Sequence, residues 1–147
     1  MSTIQTKLGR SLIVATVTAS FVWSAGSATA ATAVQQNIAG FASEAKAQDK
    51  NFKAFSAERG RILFTSRPAT GKPDTPSCTS CHTKDPRAVG QTRAGKEIKP
   101  MALSRTPDRF SDIKKVKKWF RRNCKSVIGR VCTALEKGDF LTFMVSQ

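Results

Sequence analysis

The sequence predicts a small all-α domain. Two observations support this class: apolar residues recur at helical spacing toward both ends of the chain, and helix-capping residues precede the later periodic stretches. No stretch alternates as a strand does. With 147 residues the chain is long enough for one domain, not two. A hydrophobic fraction of 39% leaves a thin core of side chains, although nine Phe argue against disorder.

The first 30 residues have the composition of a secretory signal peptide. Lys7 and Arg10 precede an apolar run, and small residues offer a cleavage site after Ala30. Hydroxyl side chains interrupt the run, which is shorter than the ~20 residues that a membrane span needs, so no retained span is expected. We therefore predict a signal peptide over 1–30, a mature domain over 31–147 and a periplasmic location, where thiols can oxidise.

Four helices are predicted in the mature chain. Val34, Ile38, Phe41 and Ala45 recur at i, i+4, i+7 and i+11 and define the first helix. The caps that open the second, third and last helices are Ser56, Ser111 and Thr133, the last within a capping box. All six prolines fall between the second and third helices, so residues 68–107 are predicted to be irregular, with no strand.

The residues Cys78 to His82 form the attachment sequence of a c-type haem. Two thiols three positions apart reach two neighbouring vinyl groups, and the next residue presents an imidazole to the iron. A thioredoxin-like pair would need a βαβ context, and a zinc site would need a fourth ligand. The sequence therefore predicts one covalently attached haem c, with Cys78 and Cys81 as its thioether residues and His82 as the proximal iron ligand. We expect the apolar surface of the haem to form part of the core and the proline-rich stretch to pack against it.

The other two cysteines are Cys124 and Cys132, with Gly129 available for a turn between them. In an oxidising compartment we expect them to form a disulfide that closes a short loop.

The sixth position on the iron stays open at this point. His82 is the only His in the chain, so a second imidazole is excluded. Met101 follows a proline in the irregular segment, which suits a ligand loop. Met144 falls on the apolar stripe of the last helix and is expected in the core. Asn123 lies on the same side of the third helix as Phe120, although an Asn near a helix end is also commonplace.

Several segments resemble known proteins. Gly60 and Phe64 ahead of the haem motif, with an aromatic-bearing last helix, resemble the crossed terminal helices of class I cytochromes c. The mature chain resembles, more specifically, the sphaeroides haem protein group, which are small oxygen-binding cytochromes c. The segments that carry this resemblance are 71–78, 90–93, 95–98, 106–110 and 122–132.

The resemblance implies a class I cytochrome c-like helical domain wrapped around the haem, with a defined sixth ligand. In that group an Asn at the place of Asn123 ligates ferric iron, and a disulfide at the places of Cys124 and Cys132 holds the loop. The Asn leaves on reduction, and the vacated site binds oxygen or nitric oxide. The alternative is an ordinary electron carrier whose iron is ligated by Met101.

The charge indicates a protein partner. The formal net charge is +15, and residues 105–125 hold nine Lys and Arg against two acids. Most of this charge is expected on a solvated helix face. The alternative, more specific interpretation is a docking surface for a redox partner protein, which would be either acidic or a membrane-bound cytochrome. Export and haem argue against nucleic acid. Arg93 and Lys96 are candidates for pairing with haem propionates, and Trp119 is expected to pack.

The sequence offers no distal acid or base. An electron carrier or ligand-binding protein is therefore favoured over an enzyme that reduces a small nitrogen or oxygen species.

Overall fold

The computed structural model describes residues 25–147. In chain order its elements are α1 (Ala25–Gln48), α2 (Ala57–Thr65), α3 (Thr79–His82), β1 (Gly90–Gln91), β2 (Glu97–Ile98), α4 (Ile113–Val127) and α5 (Ala134–Val145). Most of the predicted signal peptide, residues 1–24, lies outside the described residues. The all-α class is confirmed, because the strands contribute only two residues each. Within the described part of the chain, no helix is long and apolar enough to cross a membrane.

The periodic apolar face of α1 packs into the core. Val34 and Phe41 are almost fully buried, as their spacing predicts. Between them, the side-chain amide of Asn37 donates to the carbonyl oxygens of Phe110, at 2.7 Å, and Ser111, at 3.2 Å. An unpaired buried amide would cost about 1–3 kcal/mol. These two bonds therefore hold the chain ahead of α4 against α1.

The helices α2 and α5 cross at close range at the centre of the fold. A Cβ atom on Gly60 would lie 2.1 Å from the backbone oxygen of Asp139, so only glycine permits this approach. Phe64 is fully buried, and its ring centroid lies 6.1 Å from that of Phe140 and 5.9 Å from that of Phe143. This is the crossing of helices that the resemblance to class I cytochromes c implies.

A buried carboxylate ties the loop before α2 to α5. Asp139 accepts hydrogen bonds from the backbone N–H of Ser56, at 2.7 Å, and from the Arg59 guanidinium, at 2.7 and 2.8 Å. Ser56 is also the N-cap of α2, as predicted, and its hydroxyl accepts from the Arg59 backbone N–H. A carboxylate in the interior is stable only when it is paired and hydrogen-bonded in this way.

The last helix begins and packs as the sequence predicts. Thr133 and Glu136 form both bonds of a capping box, which stabilises the first turn by about 1 kcal/mol. Met144 has no exposed surface and belongs to the core cluster, which confirms its expected place.

The proline-rich segment is more regular than predicted. It contains α3 and a short antiparallel ladder in which Gly90 pairs with Ile98 and Gln91 with Glu97. The prediction of no strand is wrong here, because a ladder of two pairs is too short to leave an alternating pattern. Gly95, at φ +77°, provides the left-handed turn between the strands.

The start of α4 differs from the prediction by one residue. Asp112, not Ser111, is the N-cap: its carboxylate accepts from the backbone N–H groups of Lys114, at 2.9 Å, and Lys115, at 3.1 Å. Both residue types favour this position, but a carboxylate also carries the negative charge that a helix N-terminus stabilises.

Candidate haem site

The haem motif occupies a single helical turn. Cys78 is the N-cap of α3, and its carbonyl accepts from the backbone N–H groups of Cys81, at 3.3 Å, and His82, at 3.1 Å. The hydroxyl of buried Ser77 accepts from the Thr79 N–H at 3.2 Å. Neither Cys78 nor Cys81 forms a disulfide. The turn therefore presents two free thiols and an imidazole from adjacent positions.

The Cys78 thiol is unsuited to thiol redox chemistry. Burial raises the pKa of the Cys78 thiol to about 11. The thiolate is the reactive form of cysteine, so this thiol is protonated and unreactive as a nucleophile near neutral pH. Strand β1 packs directly on the turn, since a Cβ atom on Gly90 would lie 2.2 Å from the Cys81 carbonyl oxygen.

His82 is a half-buried imidazole whose Nδ1 atom is buried and unused. Among the described residues, its Nδ1 is the buried side-chain polar atom that has no hydrogen-bond partner. Burial, and secondarily the positive charge of Arg109, lowers the pKa of His82 to about 4. The ring is therefore neutral, the form in which histidine binds metal ions.

Arg109 is a partly buried cation near His82. Its Nη1 donates to the Lys99 carbonyl at 2.7 Å, and its guanidinium carbon lies 5.9 Å from the centroid of the Phe110 ring. Burial lowers the pKa of Arg109, against the opposing effect of the neighbouring Asp108. Within residues 25–147, no carboxylate lies within ion-pair distance of it, which is unusual for a guanidinium removed from water.

These residues fit a covalently bound haem. Two unoxidised thiols on one turn match two vinyl groups, and a neutral, half-buried imidazole matches an iron ligand. A partly buried guanidinium without a carboxylate matches a propionate. The apolar surroundings also fit, since Cys78, Leu103 and Phe110 all pack against the core cluster.

The end of α4 is held from two directions. Cys124 and Cys132 form the expected disulfide, with Gly129 at φ +78° in the loop between them. The chain that leads into the haem motif binds the same loop: the Thr70 hydroxyl donates to the Ile128 carbonyl at 2.7 Å. We refer to residues 70–75 as the anchoring segment.

Two further bonds extend this contact. The Lys72 backbone N–H donates to the Ser126 carbonyl at 2.7 Å, and the Thr75 hydroxyl donates to the same oxygen at 3.2 Å. Since Cys78 follows Thr75 by three residues, at most about 11 Å of chain separates these bonds from the first thioether position.

Asn123 precedes this disulfide directly and has an exposed side chain. At 100° per residue it lies about 20° from Val116 on the helical wheel, at the border of the buried face of α4. It lines an open cleft of about 470 Å³. The other lining residues are Lys72, Trp119, Arg121, Arg122, Lys125 and Ser126.

Met101 lies in a different environment from Asn123. It is 7% exposed, belongs to the core cluster, and its backbone N–H donates to the Pro86 carbonyl at 2.8 Å. The structure thus places one sequence-derived candidate for the sixth ligand among apolar side chains and the other at the protein surface.

Trp119 differs from its expected role: it does not pack in the core, because it is 51% exposed. Arg93 forms an exposed ion pair with Asp74, and the pairing of Arg93 and Lys96 with haem propionates stays a prediction. Arg109 is a further cation, and its charge acts on His82. Its place in the segment 106–110, which carries part of the family resemblance, was the available signal.

Residues 50–144 match a protein family described as "Domain of unknown function (DUF1924)". The chain is 60% identical over 91 residues to cytochrome c-type protein SHP from Cereibacter sphaeroides. The match covers 62% of this chain and 70% of that protein. It is also 34% identical over 97 residues to cytochrome c'' from Methylophilus methylotrophus. This match covers 65% of this chain and 67% of that protein.

Solved structures agree with these relatives. The structure of oxidized SHP, described as an oxygen-binding cytochrome c, superposes with a TM-score of 0.71 at 53% identity and covers 78% of this chain and 96% of that chain. Oxidized cytochrome c'' from Methylophilus methylotrophus superposes with a TM-score of 0.68 at 29% identity, over 80% of this chain and 96% of that chain.

Proposed function

Because this chain belongs to the sphaeroides haem protein group of c-type cytochromes, we propose that it is a periplasmic electron-transfer protein whose single haem binds a diatomic ligand when reduced. Export by the predicted signal peptide delivers it to that compartment. The observation that carries the proposal is a neutral, half-buried His82 whose buried Nδ1 is unused, next to two free thiols.

Four side chains would hold the cofactor. The Cys78 and Cys81 thiols would form its two thioether bonds, each sulfur bonding one vinyl carbon while its hydrogen passes to the other. His82 would supply the imidazole ligand of the iron. Arg109 would pair with a propionate, which would give its partly buried guanidinium the carboxylate that the described residues do not provide.

When bound, the haem supplies an iron centre that exchanges one electron and accepts a diatomic ligand in the reduced state. Asn123 would be the further ligand of the ferric iron, through its side-chain oxygen. An amide oxygen is a hard donor that binds ferric iron better than ferrous iron, so it would be held less tightly after reduction. Because the Asn123 side chain is exposed, water would solvate the freed amide and its release would cost little.

The backbone that carries Asn123 is held by two kinds of contact. The disulfide and the hydrogen bonds of the anchoring segment hold the end of α4. Release of Asn123 would therefore need only rotation of its own side chain, without displacement of the helix. The similarity to SHP, an oxygen-binding cytochrome c, supports oxygen as the diatomic ligand, and nitric oxide is the other candidate.

Absorption spectra of the haem-loaded protein test the ligand assignment. We expect the ferric protein to lack the long-wavelength charge-transfer band of sulfur-to-iron ligation, and the reduced protein to bind carbon monoxide. Asn123→Ala is expected to convert the ferric spectrum to that of a water-ligated or five-coordinate haem, whereas the matched variant Met101→Leu leaves it unchanged.

A sulfur-to-iron band that disappears in Met101→Leu would contradict the proposal. It would identify the protein as an ordinary Met-ligated electron carrier.

A further inference from the structure

The solvent-facing side of α4 combines positive charge with an exposed indole. We call it the α4 outer face and define it by Lys118, Trp119, Arg121, Arg122 and Lys125. All five side chains are exposed, and Trp119 is 51% exposed. Large aromatic side chains that remain half exposed on a soluble domain are typical of binding surfaces rather than of packing.

The cations of this face have no acidic neighbours. No Asp or Glu occurs between Asp112 and Glu136. Two α4 lysines are neutralised, since Lys115 pairs with Asp112 at 3.6 Å and Lys117 with Glu44 at 3.1 Å. In the described part of the chain, the four cations of the α4 outer face form no ion pair, so their charge is available to a partner.

Trp119 is held in place by two of these cations. The Arg122 guanidinium carbon lies 5.2 Å from the indole centroid, and the Lys118 ammonium lies 6.0 Å from it. Cation–π contacts of this kind contribute about 0.5–1 kcal/mol at exposed sites. The indole is therefore pre-organised, which lowers the entropy that a partner must offset on binding.

The α4 outer face also adjoins the proposed iron ligand. Trp119 and Asn123 both line the open cleft of about 470 Å³. At 100° per residue they differ by about 40° on the helical wheel. A protein that covers Trp119 therefore contacts the molecule beside the sixth position of the iron.

We propose that the α4 outer face is the docking surface for an acidic redox partner protein, with Trp119 as its central anchor and Arg122 beside it. This inference rests on the electron exchange of the proposed function and names the surface at which it occurs. Trp and Arg dominate the binding energy of protein interfaces, and complementary charge mainly raises the rate of association.

The chemistry of α4 favours a protein over other occupants. A membrane-bound amphipathic helix inserts a broad apolar face, but Val116, Cys124 and Val127 of α4 are 5–6% exposed and pack inside the protein. Only the Trp119 indole would therefore be available for insertion into a membrane. A second copy of this chain would place positive charges opposite positive charges. An acidic protein surface needs no broad apolar face and has the complementary charge.

The experiment measures reduction of the ferric haem protein by a reduced flavodoxin, used as an acidic protein probe, by stopped flow at low and at physiological ionic strength. We expect Trp119→Ala and Arg122→Gln each to lower the second-order rate constant about tenfold at low salt, and Arg122→Gln also to flatten its salt dependence. Ile62→Ala, which removes another half-exposed apolar side chain, and Lys53→Gln, which removes another exposed cation, are the matched controls. Reduction by dithionite should be equal in all variants.

Equal rates with flavodoxin in all variants would overturn the proposal. So would sedimentation of the wild type, but not of Trp119→Ala, with phosphatidylglycerol vesicles while the flavodoxin rates stay the same, because the surface would then be a lipid site. A ferric spectrum with sulfur-to-iron ligation would instead refute the proposed function, and it leaves the rate comparison intact. The two failures are therefore distinguishable.

Discussion

His82 and Asn123 are held in place by contacts of very different range. The His82 backbone N–H bonds the carbonyl of Cys78, four residues earlier, within α3. The position of Asn123 depends instead on the disulfide between Cys124 and Cys132, which are eight residues apart in the sequence, and on hydrogen bonds from the anchoring segment. That segment lies more than fifty residues before its bonding partners in the chain. The proposed permanent ligand is built locally, and the proposed releasable ligand is built by tertiary contacts.

The two side chains also differ in their exposure to solvent. His82 is neutral and half-buried, and its buried Nδ1 is withdrawn from water. The Asn123 side chain is exposed, so water competes for its oxygen. This difference in exposure would make Asn123 the more weakly held of the two proposed ligands.

Loss of the disulfide should produce the largest effect on the Asn123 side. Removing a bridge over a loop of this length, in the double variant Cys124→Ser and Cys132→Ser, is expected to lower the free energy of unfolding by about 2.5 kcal/mol. The end of α4 then fluctuates, and Asn123 should ligate ferric iron less completely. Urea unfolding and the ferric spectrum of the haem protein measure the two effects. An unchanged ferric spectrum would show that the anchoring segment alone positions Asn123.

On the His82 side, Arg109→Gln should have the next largest effect. Losing a charge-assisted bond to a propionate is expected to lower the free energy of unfolding of the haem protein by about 1.5 kcal/mol. The pH dependence of the reduction potential should also shift, because the propionate titrates differently without its cation. Arg61→Gln, which removes an exposed cation that pairs with Glu58, is the control and should change neither quantity appreciably. Equal effects in both variants would argue against a direct Arg109 contact with the haem.

The smallest effect is expected from the ion pair beside the disulfide loop. Arg130 donates to Glu136 at 2.8 and 2.6 Å, and this hydrogen bonding holds the pKa of Glu136 below its ordinary value of 4.5. Because the folded pKa is the lower one, the stabilisation is present above pH 4.5 and is lost as the pH falls through the folded value. Glu136→Gln should therefore cost about 0.5 kcal/mol at neutral pH and less in acid, as measured by urea unfolding at several pH values. If the loss in free energy of unfolding of Glu136→Gln grew as the pH fell, the prediction would be contradicted.

Local signals predicted local structure well. The caps Ser56 and Thr133 and the apolar spacing of α1 were each sufficient, because a cap and its partner lie within three residues of each other. Asp112 displaced Ser111 as a cap because adjacent capping residues are hard to rank without the backbone angles. The two-pair ladder at Gly90 was missed because so short a strand leaves no periodicity.

The helical class could be predicted from periodicity, the haem motif from a contiguous five-residue pattern, and the pairing of Cys124 with Cys132 from the number of cysteines that remain. The fold was needed to show that Met101 is buried, that Trp119 is exposed, and that Arg109 lies near His82 with no carboxylate of residues 25–147 within ion-pair distance. Burial and charge pairing depend on which distant segments pack together, and no spacing along the chain encodes that directly.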